Sequence, residues 1–326
     1  MIWAKISARS EQKNNQKPRE TVACNLGEYI MKTKIKSTVL LFLTAIIWGF
    51  AFVAQRVGAE FVGAFTFNGI RFFLGFFSLI PVILIFEKDK FNLESLKKTL
   101  LPGLLAGVVL FIASTLQQYG VEITQSAGKA GFLTGLYTVL VPLIRFAMGK
   151  KTSMFTFFGA IFAIVGLFFL CMTGNELSFG MGDIVLIIGA FFWAGHILVV
   201  DKYVNNISPL KFSLVQFFVC GVLSISFALI LEDISFVAIK SAGIPILYGG
   251  LMSVGVAYTC QILGQKDADP TFASIVFSTE SVFSAIGGAL MLNEIMSGRG
   301  YLGCVLIFIG IVLSQLNVDL FRKKEQ

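Results

Sequence analysis

Charge is what this sequence has least of. Lys, Arg, Asp and Glu make up 14% of its 326 residues, against roughly 25% in a soluble domain. That is too little polar side chain to cover a globule in water. His196 is the only histidine, so a metal centre built from several imidazoles is excluded. The five cysteines (Cys24, Cys171, Cys220, Cys260 and Cys304) form no CxxC and no cluster. Four lie in apolar stretches, where a thiol behaves as a small hydrophobe. Neither a disulfide framework nor a metal site is expected. No GxxxxGK(S/T) phosphate loop is present, so the chain does not itself couple its work to ATP. No HExxH, no GxSxG elbow and no acidic dyad within the apolar segments points to an enzyme, and no cofactor is expected. Nucleic acid is an unexpected partner, because no Lys/Arg face is interleaved with aromatics.

What remains is hydrophobicity. Apolar residues are 56% of the chain and the mean hydropathy is +0.82. Apolar runs reach the ~20 residues that cross a bilayer as a helix, and the ~10-residue alternating segments of a β-barrel are missing. The expected fold is an all-α polytopic membrane protein whose partners are lipid and a small-molecule substrate. Ten spans are predicted, near 38–56, 63–86, 100–121, 126–148, 153–172, 182–200, 209–231, 243–264, 270–292 and 299–318. Polar breaks separate them, among them Glu87-Lys88-Asp89-Lys90, Gly149-Lys150-Lys151 and Thr173-Gly174-Asn175-Glu176. The first 30 residues are polar and have no apolar core of the signal-peptide kind. Met31, followed by Lys32, Lys34 and Lys36, reads as a more natural start; the other reading is a short cytoplasmic tail.

Lys and Arg are distributed unevenly over the breaks. Placing the N-terminus in the cytoplasm puts most of them inside, Lys88, Lys97, Arg145, Lys151, Lys211 and Lys323 among them. Only Arg56, Lys129, Lys240 and Arg299 fall outside. The positive-inside rule therefore predicts both termini cytoplasmic.

The chain also repeats itself. Leu41, Ala45, Trp48, Phe67, Phe72 and Phe73 recur 145 residues later as Leu186, Ala190, Trp193, Phe212, Phe217 and Phe218. Pro102, Gly107 and Gln118 answer to Pro245, Gly250 and Gln261, and Gly159 and Gly166 to Gly303 and Gly310. The expected division is a tail over 1–36, a first repeat over 37–173, a second over 181–318 and a basic tail over 319–326. A repeat with an odd number of spans enters the bilayer from the opposite side the second time. Two inverted five-helix repeats are an arrangement of secondary transporters.

These residues resemble a family. Ala45-Ile46-Ile47-Trp48-Gly49, Arg71-Phe72-Phe73, Gly131-Phe132-Leu133-Thr134-Gly135-Leu136-Tyr137 with Val141-Pro142-Leu143, and Leu292-Asn293-Glu294 with Gly303 and Ile309-Gly310 are similar to the ten-span EamA-type members of the drug/metabolite transporter superfamily. Three positions depart from it, one of them the first-repeat counterpart of the family's Gly-Glu turn, which reads Gly149-Lys150. Glu280 is followed by Ser281 where the family often has Pro, and Asn293 precedes Glu294 where the family has Gly. The resemblance implies a carrier that exports a small metabolite, amino acid-like or amphipathic, from a prokaryotic cell across its cytoplasmic membrane. It also implies a cavity framed by the first four helices of each repeat. Uptake or exchange of a sugar- or phosphate-bearing solute is the alternative within transport. A membrane-embedded enzyme or a scaffold subunit is the rival outside it.

Ionisable groups inside apolar spans are functional candidates by default. Glu280 lies mid-span among Ser278, Thr279 and Ser281, as a candidate proton carrier or a structural hydrogen-bonding group. Arg71, two turns into the second span, is a candidate for a substrate carboxylate or a fixed structural charge. His196 is a candidate proton shuttle or a packed, hydrogen-bonded group. The amides of Gln117, Gln118 and Gln261 suit either a cavity wall or interhelical bonding. Trp48, Trp193, Tyr137 and Tyr258 are candidate aromatic walls or core. The glycine pairs seven residues apart suit close helix approach or a homodimer contact.

Overall fold

The computed structural model describes residues 31–87, 92–125, 127–150, 153–171, 180–292 and 298–315. Residues 1–30 of the predicted N-terminal tail, the predicted C-terminal tail, the 173–176 break and Asn293-Glu294 lie outside them, whereas 31–36 are helical. The described residues are helical, without strands. In order they form α1 (Met31–Gly58), α2 (Ala64–Phe86), α3 (Leu93–Thr124), α4 (Ala127–Thr134), α5 (Tyr137–Ala147), α6 (Met154–Cys171), α7 (Met181–Tyr203), α8 (Pro209–Leu231), the short α9 (Phe236–Ser241), α10 (Gly243–Gln265), α11 (Pro270–Phe277), α12 (Glu280–Leu292) and α13 (Gly298–Gln315). Seven segments are long and apolar enough to cross a membrane: α1, α2, α3, α7, α8, α10, and α11 with α12 taken together. At 1.5 Å per residue, 23 residues reach about 35 Å, enough to cross a hydrocarbon core of about 30 Å. Large apolar side chains face outward along them, such as Phe77 of α2, Ile188 of α7 and Leu229 of α8. The molecule is a multi-pass membrane protein.

Helix starts follow local chemistry. Ser208, Pro209 and Asp269, Pro270 each place a capping oxygen before a proline at the first turn. Glu232, just past α8, caps α2 from outside, its carboxylate accepting Phe65 N–H and Thr66 N–H at 2.8 Å each. At the opposite end, Glu87 accepts from Ser208 and pairs with the buried Lys211 at 3.1 Å.

Two expected spans are not continuous. The fourth, 126–148, breaks at Gly135-Leu136 into α4 and α5. The ninth, 270–292, breaks at Ser278-Thr279 into α11 and α12. In the ninth, Ser278 Oγ and Thr279 Oγ1 donate to the carbonyls of Ile275 and Val276 at 2.7 Å, competing with the backbone ladder. Tight three-residue bonds such as Thr279 N–H to Val276 O bridge the gap. α10 carries another irregularity, π-helical bonding over Tyr248–Tyr258. Among the described residues the first helix is already formed at Met31, and the third begins at Leu93, both earlier than their apolar cores, because polar turns extend the helices beyond them.

Positions matched by the internal repeat also meet in space. Gly166 lies against Gly303, and Gly159 against Gly310, so α6 and α13 cross antiparallel. A Cβ on Gly166 or Gly310 would sit 2.6 Å from a carbonyl oxygen of the other helix, so the approach requires glycine. Phe72 meets Phe217 and Phe73 meets Phe218, with ring centroids 6.2 and 6.3 Å apart. Gly69 lies against Ile225, so α2 and α8 are antiparallel as well. Gly120 packs on Leu186, and Gly264 packs on Leu41. The core is built from these exchanged contacts.

Candidate functional site

The two helix breaks converge on one cavity, lined by Thr134 and Tyr137 from the first and by Phe277 and Glu280 from the second. It has about 30 Å3 of free space, room for two or three waters and far less than a metabolite needs. The conformation is therefore closed around its centre.

Aromatic rings form the walls. Trp48 of α1 and Trp193 of α7 both line the cavity, 6.3 Å apart. Tyr258 lies 4.8 Å from Trp48 and stacks on Trp193 at 6.3 Å. Trp48 is positioned by Nε1–H donating to Ser253 O at 3.3 Å, a bond to the irregular stretch of α10. Trp193 Nε1–H has no partner.

Charge enters from two directions. Arg71, 2% exposed, lies on α2. Phe67 and Phe72 bracket its guanidinium carbon at 5.4 and 5.2 Å. Its Nε–H has no hydrogen-bond partner, and no carboxylate among the described residues pairs with it. Glu280 opens α12 at the break in the ninth span, where its carboxyl oxygen accepts the Tyr137 hydroxyl at 3.0 Å. Tyr137 opens α5 at the break in the fourth span. The two breaks are 143 residues apart, so the twin of Glu280 is Tyr137, and the twins bond each other.

The amides divide. Gln117 and Gln261 line the cavity. Gln117 Nε2 donates to Gln55 Oε1 at 3.0 Å. Gln118 is fully buried beside the cavity and donates to Gln55 O at 3.2 Å. His196 is outside the lining, with Nε2 2.9 Å from Gln216 Oε1. Of the ten residues singled out by sequence, eight meet at the cavity and two, Gln118 and His196, stand behind its wall. Sequence reasoning missed Gln55, Thr134 and Ser253, which also line it. Gln55 carried a signal, as an amide interrupting the apolar run of α1. Ser253 carried none, since serine is common in apolar helices.

The geometry offers a cation without a counter-charge among the described residues, a carboxyl held by one hydroxyl, and aromatic rings lining the same cavity. A family model, the EamA-like transporter family, matches residues 35–172 and again 180–316. An uncharacterized transporter from Archaeoglobus fulgidus is 27% identical over 280 residues, 85% of each chain. The uncharacterized transporter YoaV of Bacillus subtilis is 23% identical, covering 86% of this chain and 97% of its own. YedA, an uncharacterized inner membrane transporter of Escherichia coli, is 21% identical over 87% of this chain and 92% of its own. One crystal structure superposes with a TM-score of 0.73 at 17% identity, covering 89% of this chain and 99% of that one, a likeness of fold alone. Matched over both of its halves, the chain belongs to the EamA-like transporter family.

Proposed function

We propose that this protein is a secondary carrier that exports a small organic metabolite with a carboxylate and an apolar body. It works by alternating access across a prokaryotic cytoplasmic membrane. The observation that carries the reading is Arg71, a buried cation with no counter-charge among the described residues, lining a cavity between the two halves. An ionised side chain in hydrocarbon is costly and is kept where it binds something. Its planar fork of donors suits a carboxylate, and the rings of Trp48, Trp193 and Tyr258 suit an apolar body. A phosphorylated solute calls for several convergent cations, and Arg71 is the one cation among the described lining residues.

The chain crosses the membrane ten times in this reading, with α4–α5 and α11–α12 each counting as one broken span and α6 and α13 as one each. The two halves are inverted relative to each other. The antiparallel crossings of α2 with α8 and of α6 with α13 support this. Both termini are cytoplasmic. Arg145, Lys150, Lys202, Lys211 and Lys266 gather at the helix ends assigned to that side. Discontinuous helices at the midplane are a common way to build a carrier's site. Glu280, at one such break, serves as the proton-carrying group. Rocking one half against the other opens the closed cavity first to one side and then to the other.

The test is flux. Metabolites released by cells with and without the gene identify candidate solutes, and the purified protein in proteoliposomes is then loaded with each. The reading expects saturable efflux of a carboxylate-bearing solute. Lack of protein-dependent flux for every solute that differs between the two cell lines would count against it.

A further inference from the structure

Some lining positions match across the two halves and others do not. Trp48 and Trp193 both line it, as do Phe52 and Ile197, and Tyr137 and Glu280. Ala51 and Arg71 also line it, but their counterparts 145 residues on, His196 and Gln216, do not. Those two are fully buried and bonded to each other at 2.9 Å.

The His196 ring stands edge-on to Trp193 and to Tyr258, 6.1 Å from each centroid. Both rings are cavity wall, so the imidazole lies directly behind it. In the first half that same position is Ala51, whose small methyl side chain lines the cavity itself, as Arg71 does. In the second half the position carries a ring. The polar bookkeeping of this pair is incomplete, since His196 Nδ1 and Gln216 Nε2 have no partner. A purely structural buried pair ordinarily satisfies its atoms. The imidazole therefore does more to fill space than to complete a hydrogen-bond network.

We infer that His196 is a specificity-determining residue. It fills the second-half twin of the space lined by Ala51 and Arg71 and restricts the carrier to solutes with one anionic end. The inference rests on the reading of the cavity as the solute site. Removing the ring exposes the Gln216 amide at the far end, where it donates to a second carboxylate. Filling the space beside Ala51 in the same way blocks the route to Arg71.

Two probes of equal width and different length test this: phenylacetate and 1,4-phenylenediacetate. They are added to the full chain in lipid nanodiscs and followed by tryptophan fluorescence, since two of the three tryptophans line the cavity. The wild type should bind phenylacetate at least about tenfold more tightly than the diacid, the scale of discrimination a pocket boundary provides. His196→Ala should bring the two affinities within about threefold. His196→Leu keeps the bulk and loses the hydrogen bond, and should keep the wild-type ratio; a purely structural histidine would instead make both variants alike. Ala51→His should weaken phenylacetate at least about tenfold and remains informative if His196→Ala does not fold. An unchanged ratio in folded His196→Ala, or unchanged binding in Ala51→His, overturns the inference while leaving Arg71-dependent binding intact. Binding of neither probe, or binding unaltered by Arg71→Met, overturns the reading of the site and the inference with it.

Discussion

Replacing Arg71 with methionine should make the substrate-free protein more stable and less able to bind. Arg71 is 2% exposed, and its Nε–H is unbonded. An unsatisfied buried donor costs about 1–3 kcal/mol. The two faces of Phe67 and Phe72 return about 0.5–2 kcal/mol through cation–π attraction. A methionine of similar length keeps the packing against those rings and removes the desolvated charge. The net expectation is a gain of about 1 kcal/mol, seen as an upward shift in Tm. Binding moves the other way. Truncating one partner of a buried charge pair costs about 2–5 kcal/mol, which is about 30- to 5,000-fold in Kd. Thermal unfolding in detergent gives the first quantity, and titration with the transported solute gives the second. A structural Arg71 makes the opposite forecast, a variant destabilised by several kcal/mol. Loss of more than about 1 kcal/mol of stability, or retained affinity, would refute the assignment.

Glu280→Gln keeps an acceptor for the Tyr137 hydroxyl, so the variant should fold and still exchange solute down its own gradient. Transport driven by a pH gradient should be lost, and unchanged pH-driven flux in proteoliposomes would remove Glu280 from the mechanism. Gly310→Val places a Cβ 2.6 Å from Gly159 O and 3.0 Å from Ala163 N, backbone atoms that cannot move aside. Overpacking of that kind should cost about 1–3 kcal/mol, read as a fall in Tm. A cysteine at Lys150 should stay unlabelled by impermeant reagents in intact cells and react after lysis; labelling from outside would invert the topology.

Much of the fold was legible because it is written in composition. Long apolar runs, glycine pairs and an internal echo are one-dimensional features, and each became a helix or a helix contact. Gly159, Gly166, Gly303 and Gly310 carried the most, since their spacing already implied a shared face and the structure joins the two faces. The helix breaks were harder to see. Apolar residues continue through 126–148 and 270–292, so hydropathy runs straight across them. What interrupts the helices is local: hydroxyls of Ser278 and Thr279 turned onto carbonyls three residues back.

The site was legible in kind but not in pairing. Charged and amide groups in apolar segments drew attention to Arg71, Glu280, Gln117 and Gln261, and these do meet at the cavity. Sequence gave no sign that Tyr137 would hold Glu280. That contact follows from the 143-residue register of the two breaks, which is known only once the breaks are located. The same limit applied to His196. Its type suggested proton chemistry, whereas its place behind Trp193 and Tyr258 suggests a filler.

The central claim is that the closed cavity opens alternately to the two sides of the membrane, and one cysteine tests it directly. Ser253 is 3% exposed and lines the cavity beside Trp48. Ser253→Cys is placed in a chain whose five native cysteines are replaced, then reconstituted in oriented vesicles. An impermeant thiol reagent is added from one side only, in separate experiments for each side. The account predicts reaction from both sides, with saturating solute protecting against each. A cysteine that stays inert from either side would mean that the cavity is a packed core and not a transport site.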